Sequence, residues 1–438
     1  MKHYVRLWIL FVFLQILILH KLYGALESPW VLAIKSSASD WLSQQTVYPC
    51  SFRKLPMVFE HGDGYYYVVW ETTCSSESPL FKWWADGEST SKPTQYIEPW
   101  YKKLDNSHHR YAVIFGPVGE VSDVHYQVMN FRLSTKTYTI HRQISSSDHH
   151  RVLVISDNQN GPKEFREVLS TVKSRYAKIG SPHAILHVGD AVQNANRLSD
   201  WQGQLFSPME DIVDYQHGSP IIFVPGNHDH DKARRPDNKN LYPDMYHGIR
   251  STEGLSKDIV SNGTYHRFFH SVSVGSARII VLDAECPSAE QTAFLKRELE
   301  STEFQSARFR IVSVHIPPFI EFWDPFAWNI KNEKHWGEHV RLEYDPLFRK
   351  YGVDLVISGH QHNYQRATIE YNGKNIISYA IVGGAGGTLD LVRVQDWKMY
   401  NRTYLGHHFV SLSISNSKLE WLAFNVAGSV IDRFSIER

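Results

Sequence analysis

Five apolar, β-branched runs in this sequence are each followed at once by side chains that bind metal ions. The residues are Asp157 and Gln159 after 151–156, Asp190 after 184–188, Asn227 after 220–224, His315 after 308–314, and His360 and His362 after 353–358. In open α/β sheets, ligand sites form outside the carboxyl ends of the strands. The pattern therefore predicts that all five strand ends face one crevice.

These residue types indicate a particular metal chemistry. Carboxylate, amide and imidazole groups suit zinc, manganese or iron, and the lack of a Cys-x-x-Cys sequence argues against a thiolate site. Two metal ions that share one bridging aspartate can hold both the attacking and the leaving oxygen of a phosphoryl transfer. Glycines at positions 189, 226 and 359 permit backbone conformations that other residues resist. The sequence therefore predicts a site for two metal ions, of iron, zinc or manganese.

Each motif taken alone has an ordinary structural explanation. Gly189-Asp190 is a common turn, and a histidine after a strand, such as His315, is more often a core or surface residue. Chance explains all five motifs poorly, because they occur in this order and each follows an apolar strand. The joint arrangement is therefore the basis of the metal-site prediction.

Strand and helix patterns alternate after residue 148 and would position these side chains. A helix is predicted behind Pro162, with apolar residues at helical spacing at Phe165, Val168, Leu169, Val172 and Tyr176. A second helix is predicted from Ser288, because Gln291 follows at the spacing of a capping box. Such alternation predicts an α/β domain whose sheets are covered by helices.

The region before residue 148 has a different pattern. Short aromatic and β-branched runs at 65–73, 110–116, 124–131 and 136–142 predict a small antiparallel β-sandwich. Cys50 and Cys74 could pair there in an oxidising compartment. Cys286 follows an apolar run and is predicted to be a buried free thiol.

Residues 1–25 have the pattern of a targeting segment. Lys2, His3 and Arg6 precede a 13-residue apolar run at 7–19, which fits a signal peptide and is short for a membrane span of about 20 residues. A cleaved signal and a single-pass N-terminal membrane anchor both remain open. Sequons at Asn262 and Asn401 agree with export, so we expect a secreted, lumenal or extracellular protein. The 46 basic and 46 acidic residues give no reason to expect nucleic acid as a partner.

With these motifs in place, the sequence resembles the calcineurin-like metallophosphoesterase superfamily. Within it, the similarity is to purple acid phosphatases with an N-terminal fibronectin type III-like domain. It rests on Asp-x-Gln, Gly-Asp, Gly-Asn-His-Asp, a later His and Gly-His-x-His, and extends through Arg366 to the glycine-rich turn at 381–387. The resemblance implies a fibronectin type III-like sandwich over 26–147. It also implies a phosphoesterase domain of two sheets flanked by helices over 148–438.

The resemblance also implies a role for each site residue. One metal ion would take Asp157, Asp190 and His362, with Gln159 as a further candidate. The other would take Asn227, His315 and His360, with Asp190 bridging the two ions. A metal-bound hydroxide would attack phosphorus, with His228 as general acid or phosphate stabiliser and Asp229 orienting it. His230 and Arg366 receive no role.

Two residues depart from the family pattern. Gln159 stands where the superfamily usually has His. Purple acid phosphatases instead have Gly there and a metal-binding Tyr three residues after the Gly-Asp, a position that is Gln193 here. Some superfamily members have a similar Asp-x-Gln. We therefore expect a working site with a weaker first metal and without the tyrosinate–iron colour.

Two classes of function remain open. One is a secreted metal-dependent, acid phosphatase-like phosphoesterase that acts on a small phosphorylated substrate, with nucleotides among the candidates. The other is a binding protein whose sandwich docks a partner and whose metal domain is silent. Four aromatic residues within Glu321–His339 would either stack on a base or aryl group of the substrate or cover the sheet edge; they are Trp323, Phe326, Trp328 and Trp336.

Overall fold

The fold is taken from a computed structural model of the 438-residue chain. It describes residues 50–62, 64–76, 78–86, 95–118, 123–130, 133–142, 149–229, 269–285, 287–371, 373 and 375–438. The N-terminal segment 1–25, His230, the sequon at Asn262 and Cys286 lie outside the described residues. Among the described helices, none is both long enough and apolar enough to span a membrane.

The described part of the chain forms strands in three sheets. The strands are β1 (Phe52–Gly62), β2 (Tyr65–Thr72), β3 (Pro79–Ala85), β4 (Gln95–Ile97), β5 (Trp100–Asp105), β6 (His108–Phe115), β7 (Asp123–Asn130), β8 (Leu133–Ser134), β9 (Tyr138–His141), β10 (His150–Ile155), β11 (Ala184–His187), β12 (Ile221–Phe223), β13 (His270–Val274), β14 (Ala277–Leu282), β15 (Phe309–Val314), β16 (Leu355–Ser358), β17 (Tyr364–Tyr371), β18 (Asn375–Val382), β19 (Arg402–Tyr404), β20 (His408–Ile414), β21 (Lys418–Asn425) and β22 (Val430–Glu437). The first sheet has the order β22-β21-β20-β10-β11-β12-β1-β2-β6-β5. The second has the order β13-β14-β15-β16-β18-β17-β19, and the third β4-β3-β7-β8 with β9 paired to β7.

Helices cover the outer faces of the first two sheets. The α-helices are α1 (Pro162–Ile179), α2 (Leu198–Asp200), α3 (Ser207–Ile212), α4 (Ala289–Glu300), α5 (Thr302–Ser306), α6 (Pro325–Asn329) and α7 (Asp345–Tyr351). Shorter π- and 3₁₀-helical turns lie at Trp201–Phe206, Val340–Tyr344, Tyr215–His217 and Glu333–His335. The apolar residues of α1 pack on one side of β10 and β11, while those of α4 pack on β14 and β15. The predicted layered α/β domain is therefore present, with two sheets between two layers of helix.

Successive residues of the central strands point into two different cores, so these strands are buried on both faces. In β10, Leu153 and Ile155 point toward the α1 layer, and Val152 and Val154 point into the core between the two sheets. A strand covered on both faces reads as a continuous apolar run. This is the pattern seen in the sequence before each candidate ligand.

The two predicted helices begin as their sequences indicate. Pro162 occupies the first turn of α1, and the five apolar residues of its predicted face are buried. Ser288 caps α4 by accepting a hydrogen bond from the Gln291 N–H at 3.0 Å. The Gln291 side chain turns inward instead of closing a capping box, and bonds the backbone of Asp283 and the hydroxyl of Tyr344. Only half of the capping-box pattern is therefore used as a cap.

The N-terminal β-sandwich is present, and one of its sheets continues into the α/β domain. Strand β1 pairs in parallel with β12, where Phe59 lies opposite Ile221. Alternate residues of β2 are consequently buried in two different cores. Tyr66 and Val68 lie in the core of the sandwich, while Tyr67 and Val69 lie in the core beneath α1. The sandwich also carries the predicted disulfide, between Cys50 and Cys74. The domain bounds 26–147 and 148–438 stay predictions, because residues 143–148 lie outside the described part.

Candidate metal centre

Three of the predicted ligands lie in left-handed backbone conformations at the ends of strands. Asp157, Asp190 and His360 have φ angles of 59°, 51° and 69°. Such conformations cost a non-glycine residue about 1–3 kcal/mol and persist where the surroundings enforce them. Backbone hydrogen bonds tie the strand ends together here, from Asp157 N–H to the Gly189 carbonyl at 3.0 Å and from Gly359 N–H to the His315 carbonyl at 2.9 Å. The strained turns therefore aim ligands from different strands at one point.

The three glycines beside these ligands are needed mainly because the strand ends approach so closely. Of the three, only Gly189 has a positive φ, of 93°. A Cβ at position 226 would lie less than 3.0 Å from Asp190, and a Cβ at position 359 less than 3.0 Å from Ser156 and Asp157. The expectation of an unusual backbone shape is thus right for Gly189 and wrong for the other two, which provide space.

Two groups of acidic and imidazole side chains lie close enough for each to hold an ion. Asp157, Asp190 and His362 form one group, and Asp190, His315 and His360 form the other. Within each group the ligand atoms lie within 4.8 Å of one another. Asp190 belongs to both groups, so it is the side chain placed to bridge two ions.

Asn227 joins the second group through its amide oxygen. Its Oδ1 atom lies 2.9 Å from Nδ1 of His360. A neutral amide oxygen is a hard ligand that suits the same ions as a carboxylate. The structure thus places Asn227 beside the group that the family resemblance implied for it.

Backbone carbonyls fix the orientation of two of the imidazoles. Nδ1 of His315 donates to the Val188 carbonyl at 2.6 Å, and Nδ1 of His362 donates to the Thr388 carbonyl at 2.5 Å. Each bond leaves Nε2 unprotonated in the neutral ring and directed at the carboxylates. Such outer hydrogen bonds are usual for metal-binding histidines.

Gln159 lies inside the first group. Its amide nitrogen is 3.1 Å from Oδ2 of Asp190 and 3.1 Å from Nε2 of His362. Rotation of the amide by 180° would exchange its nitrogen and oxygen and present the oxygen to the same space. Gln159 is therefore placed either to bind the first ion or to hydrogen-bond its ligands, and which of these it does stays a prediction.

The carboxylates set the protonation of the site. Burial would lower the pKa of His315, but Asp190 and Asp157 outweigh it and raise this pKa to about 10. Burial would also lower the pKa of His362, but Asp157 outweighs burial and raises this pKa to about 9. Burial followed by the charge of His315 lowers the pKa of His360 well below its usual value. The carboxylates thus favour positive charge at His315 and His362, and a metal ion bound there would displace protons from these two rings.

The residues present fit two metal ions. Nε2 of His360 and Oε1 of Gln159 are buried and have no hydrogen-bond partner among the described residues. A buried polar atom without a partner costs about 1–3 kcal/mol, so such atoms within a cluster of ligands fit a site that would bind an ion. The donor set contains only oxygen and nitrogen, as expected for iron, zinc or manganese.

His228 lies at the rim of the site and is only partly buried. Its backbone N–H donates to Oδ1 of Asp190 at 2.8 Å, and its Nδ1 donates to the carbonyl of Gln193 at 3.1 Å. Because Nδ1 is engaged, Nε2 is the nitrogen available for a substrate. His228 therefore lies beside the metal groups without being a member of either.

Asp229 fixes the loops that carry the ligands. Its buried carboxylate accepts hydrogen bonds from the N–H groups of Asp190 at 2.8 Å, Ala191 at 3.0 Å and Gly226 at 2.9 Å. These bonds join the exits of β11 and β12. They give Asp229 a positioning role at the backbone, and the predicted orientation of the His228 ring stays untested.

Several supporting residues escaped the sequence reasoning. Ser156 donates to the Asp157 carboxylate at 2.5 Å, and Asp390 accepts the His362 N–H at 2.8 Å. The glycine-rich turn 381–387 also supports the site, because Gly387 N–H donates to the Asp157 carbonyl at 2.7 Å. Ser156 adjoins a predicted ligand and could have been suspected, whereas nothing in the sequence near Asp390 links it to His362.

Two further candidates have different positions. Arg366 forms a two-pronged ion pair with Asp432, at 2.5 and 3.1 Å, and so joins β17 of the second sheet to β22 of the first. Within the aromatic segment, Trp328 is buried in a small core with Ile316 and Ile320, as the cover explanation predicts. Trp323 packs against the same small core and also stacks on the ring of His360, at 4.6 Å between centroids. The segment thus contains both a core residue and a residue at the metal groups.

Comparisons with known proteins agree with this geometry. Residues 150–364 match the family described as Calcineurin-like phosphoesterase. The chain is 30% identical over 213 residues to phosphoenolpyruvate phosphatase of Allium cepa, covering 46% of this chain and 38% of that protein. It is 29% identical over 232 residues to Fe(3+)-Zn(2+) purple acid phosphatase 12 of Arabidopsis thaliana, covering 49% of this chain and 43% of that protein. The matched stretch therefore spans less than half of either relative.

A solved structure shows the same fold over most of the chain. The purple acid phosphatase PPD1 from seeds of yellow lupin, Lupinus luteus, superimposes with a TM-score of 0.67 at 17% identity, covering 87% of this chain and 74% of that one. The family match spans the strand ends from β10 to β16 that supply both ligand groups. Residues 150–364 are therefore similar to the calcineurin-like phosphoesterases, and the chain is similar to the purple acid phosphatases.

Proposed function

We propose that this protein is a metal-dependent phosphoesterase that hydrolyses monoesters or diesters of phosphate. The observation that supports this most is the pair of ligand groups that share Asp190. A shared carboxylate places two ions side by side, which is the arrangement that clamps the attacking and leaving oxygens in phosphoryl transfer. Two metal ions held there would supply an activated water and neutralise charge on the phosphate.

The protein's own residues would complete the reaction. His228 can hold or release a proton at Nε2, since its Nδ1 is bonded to the Gln193 carbonyl. A protonated His228 would neutralise a phosphate oxygen or protonate the leaving group. Asp229 would keep the exits of β11 and β12 in register while this happens.

A silent metal domain is the second candidate function, and Gln159 is the observation that favours it. A neutral amide is a weaker ligand than the imidazole that the superfamily usually has at this position. The retained carboxylates and histidines favour catalysis, because each group already has three carboxylate or imidazole ligands. A binding protein would need neither of the two ligand groups.

An assay with two chromogenic esters separates these functions. Purified protein is given zinc, manganese or iron and tested on a phosphate monoester and a phosphate diester, with and without a chelator. We expect turnover of at least one ester that the chelator abolishes and that added metal restores. Lack of turnover with every metal, in a folded protein, would favour the silent domain.

We further propose that the chain enters the secretory route. The Cys50–Cys74 disulfide supports this, because such bonds persist in oxidising compartments. Asn401 of the second sequon is exposed, as a glycan acceptor must be. In a eukaryotic host we expect a glycosidase to reduce the apparent mass of wild type, and Asn401→Gln to remove part of that shift. A cytosolic protein that still begins at Met1 would refute this proposal.

A further inference from the structure

Two tryptophans and a pair of exposed apolar residues border the metal groups. This border adjoins both His360 and His362. It consists of Trp323, Trp336, Leu391 and Val392 and is called the aromatic rim below. Resting on the proposed phosphoesterase function, we propose that the aromatic rim is a substrate subsite that binds a flat aryl or nucleobase leaving group.

The position of the rim is tied to the metal ligands. Gln361, between His360 and His362, accepts hydrogen bonds at its Oε1 from the N–H groups of Glu321 at 2.9 Å and Phe322 at 2.7 Å. The segment that carries the two tryptophans is therefore hydrogen-bonded to the turn that carries two of the ligands. Any displacement of the aromatic rim would therefore also displace the metal ligands.

Trp323 is held face to face with His360. The two rings lie 4.6 Å apart at an interplanar angle of 22°. Nε1 of Trp323 donates to Glu333 at 2.8 Å, and its backbone N–H donates to the Val392 carbonyl at 3.0 Å. Three independent contacts thus fix Trp323 as a rigid wall beside a metal ligand.

Trp336 adds a second, more accessible ring. Its centroid is 4.9 Å from that of His360 and 5.2 Å from that of Trp323, at 71° to the latter. It is 36% exposed, whereas Trp328 of the same segment is 7% exposed and lies in the small core. A residue serving only as a cover would be expected to bury itself as Trp328 does.

The far side of the rim is also apolar and exposed. Leu391 and Val392 are 58% and 50% exposed, and they follow Asp390, which binds the His362 N–H. Apolar surface at the edge of a polar site favours a ligand that can cover it. A flat aromatic group matches the tryptophan rings, since aromatic pairs gain affinity beyond the area they bury. A glycerol or sugar leaving group would leave the apolar surface of the aromatic rim in contact with water.

Binding of two phosphonates tests the subsite without depending on turnover. Phenylphosphonate and methylphosphonate carry the same phosphorus group and differ in the aromatic ring, and calorimetry on the metal-loaded protein measures both affinities. Stacking of one ring contributes about threefold to tenfold in affinity. We expect phenylphosphonate to bind tighter by that factor, Trp336→Ala to remove the preference, and Trp336→Phe to restore most of it.

Phe326→Ala is the matched control, because Phe326 is an aromatic residue of the same segment that is 58% exposed and contacts Lys331. It should leave the preference unchanged. Equal affinity of wild type for the two phosphonates would overturn the subsite, as would an equal loss of both affinities in Trp336→Ala. An aryl preference in binding, together with no hydrolysis of aryl phosphate, would keep the subsite and reject the proposed function.

Discussion

Replacement of Gly359 by alanine tests how closely the metal-binding strand ends must approach. The new Cβ would lie less than 3.0 Å from both Ser156 Oγ and Asp157 Oδ2, and 3.0 Å from Nδ1 of His315. These atoms are buried and already bonded, with Ser156 donating to Asp157 at 2.5 Å. The methyl group therefore has to displace a ligand or the turn that carries His360.

The size of the effect follows from the overlap. The shortest contacts fall about 1 Å inside ordinary van der Waals distance, and overpacking of this kind costs about 1–3 kcal/mol. We expect Gly359→Ala to lower the free energy of unfolding by that amount, measured by denaturant titration. We also expect weaker metal retention, measured by metal analysis after graded chelation.

Gly203→Ala is the control, because a Cβ there meets no atom within 4 Å. It should leave the metal content unchanged and alter the free energy of unfolding by less than about 1 kcal/mol. A Gly359→Ala protein with wild-type stability and wild-type metal retention would refute the reasoning about close approach.

Three other predictions concern single side chains. Gln159→His should tighten the first metal and Gln159→Ala should loosen it by about tenfold, as read by graded chelation, and no response to either change would make Gln159 a polar turn residue. His228→Ala should lower turnover by about 10²–10⁴-fold with metal content unchanged, whereas loss of metal would assign His228 to the ligands. Burial would raise the pKa of Glu71, but Lys54 and Arg110 outweigh it and lower this pKa to about 2 from 4.5. Because the folded pKa is the lower one, about 3 kcal/mol of stability should be present above pH 4.5 and be lost as the pH falls toward 2. Burial lowers the pKa of Lys54 from 10.5 to about 8, which costs a similar amount of stability at every pH below 8 and so leaves this acid dependence unchanged. Unfolding of Glu71→Gln should depend less on pH over that range, and an unchanged pH profile would contradict the assignment.

The sequence identified the side chains that cluster at the strand ends because their signal is local. A strand covered on both faces must be apolar along its length, so the polar residue at its end stands out, as Asp157 does after Ile155. The carboxyl ends of parallel strands meet at one edge of a sheet, which places Asp157 beside Asp190 in the first sheet and His315 beside His360 in the second. The division of these residues into two ligand groups came from the family resemblance, and the packing of the two sheets on one core brings the two edges together.

The remaining features depend on contacts between distant parts of the chain. Asp390 reaches His362, Gln361 reaches Glu321, and β1 joins β12, and no local pattern encodes such partners. Backbone strain was also missed, because a positive φ at Asp157 or Asp190 is imposed by the surrounding packing and not by the residue type. The stacking of Trp323 on His360 is likewise a contact between distant parts of the chain that no local pattern predicts.

Counting the metal ions in wild type and two variants tests the central claim most directly. Asp190 belongs to both ligand groups, whereas Asn227 contacts only the His360 side. We expect two ions per chain in wild type, one in Asn227→Ala, and none held tightly in Asp190→Asn, with circular dichroism confirming that each variant is folded. Wild type that binds a single ion, or Asp190→Asn that keeps two, would contradict a bridged two-metal site.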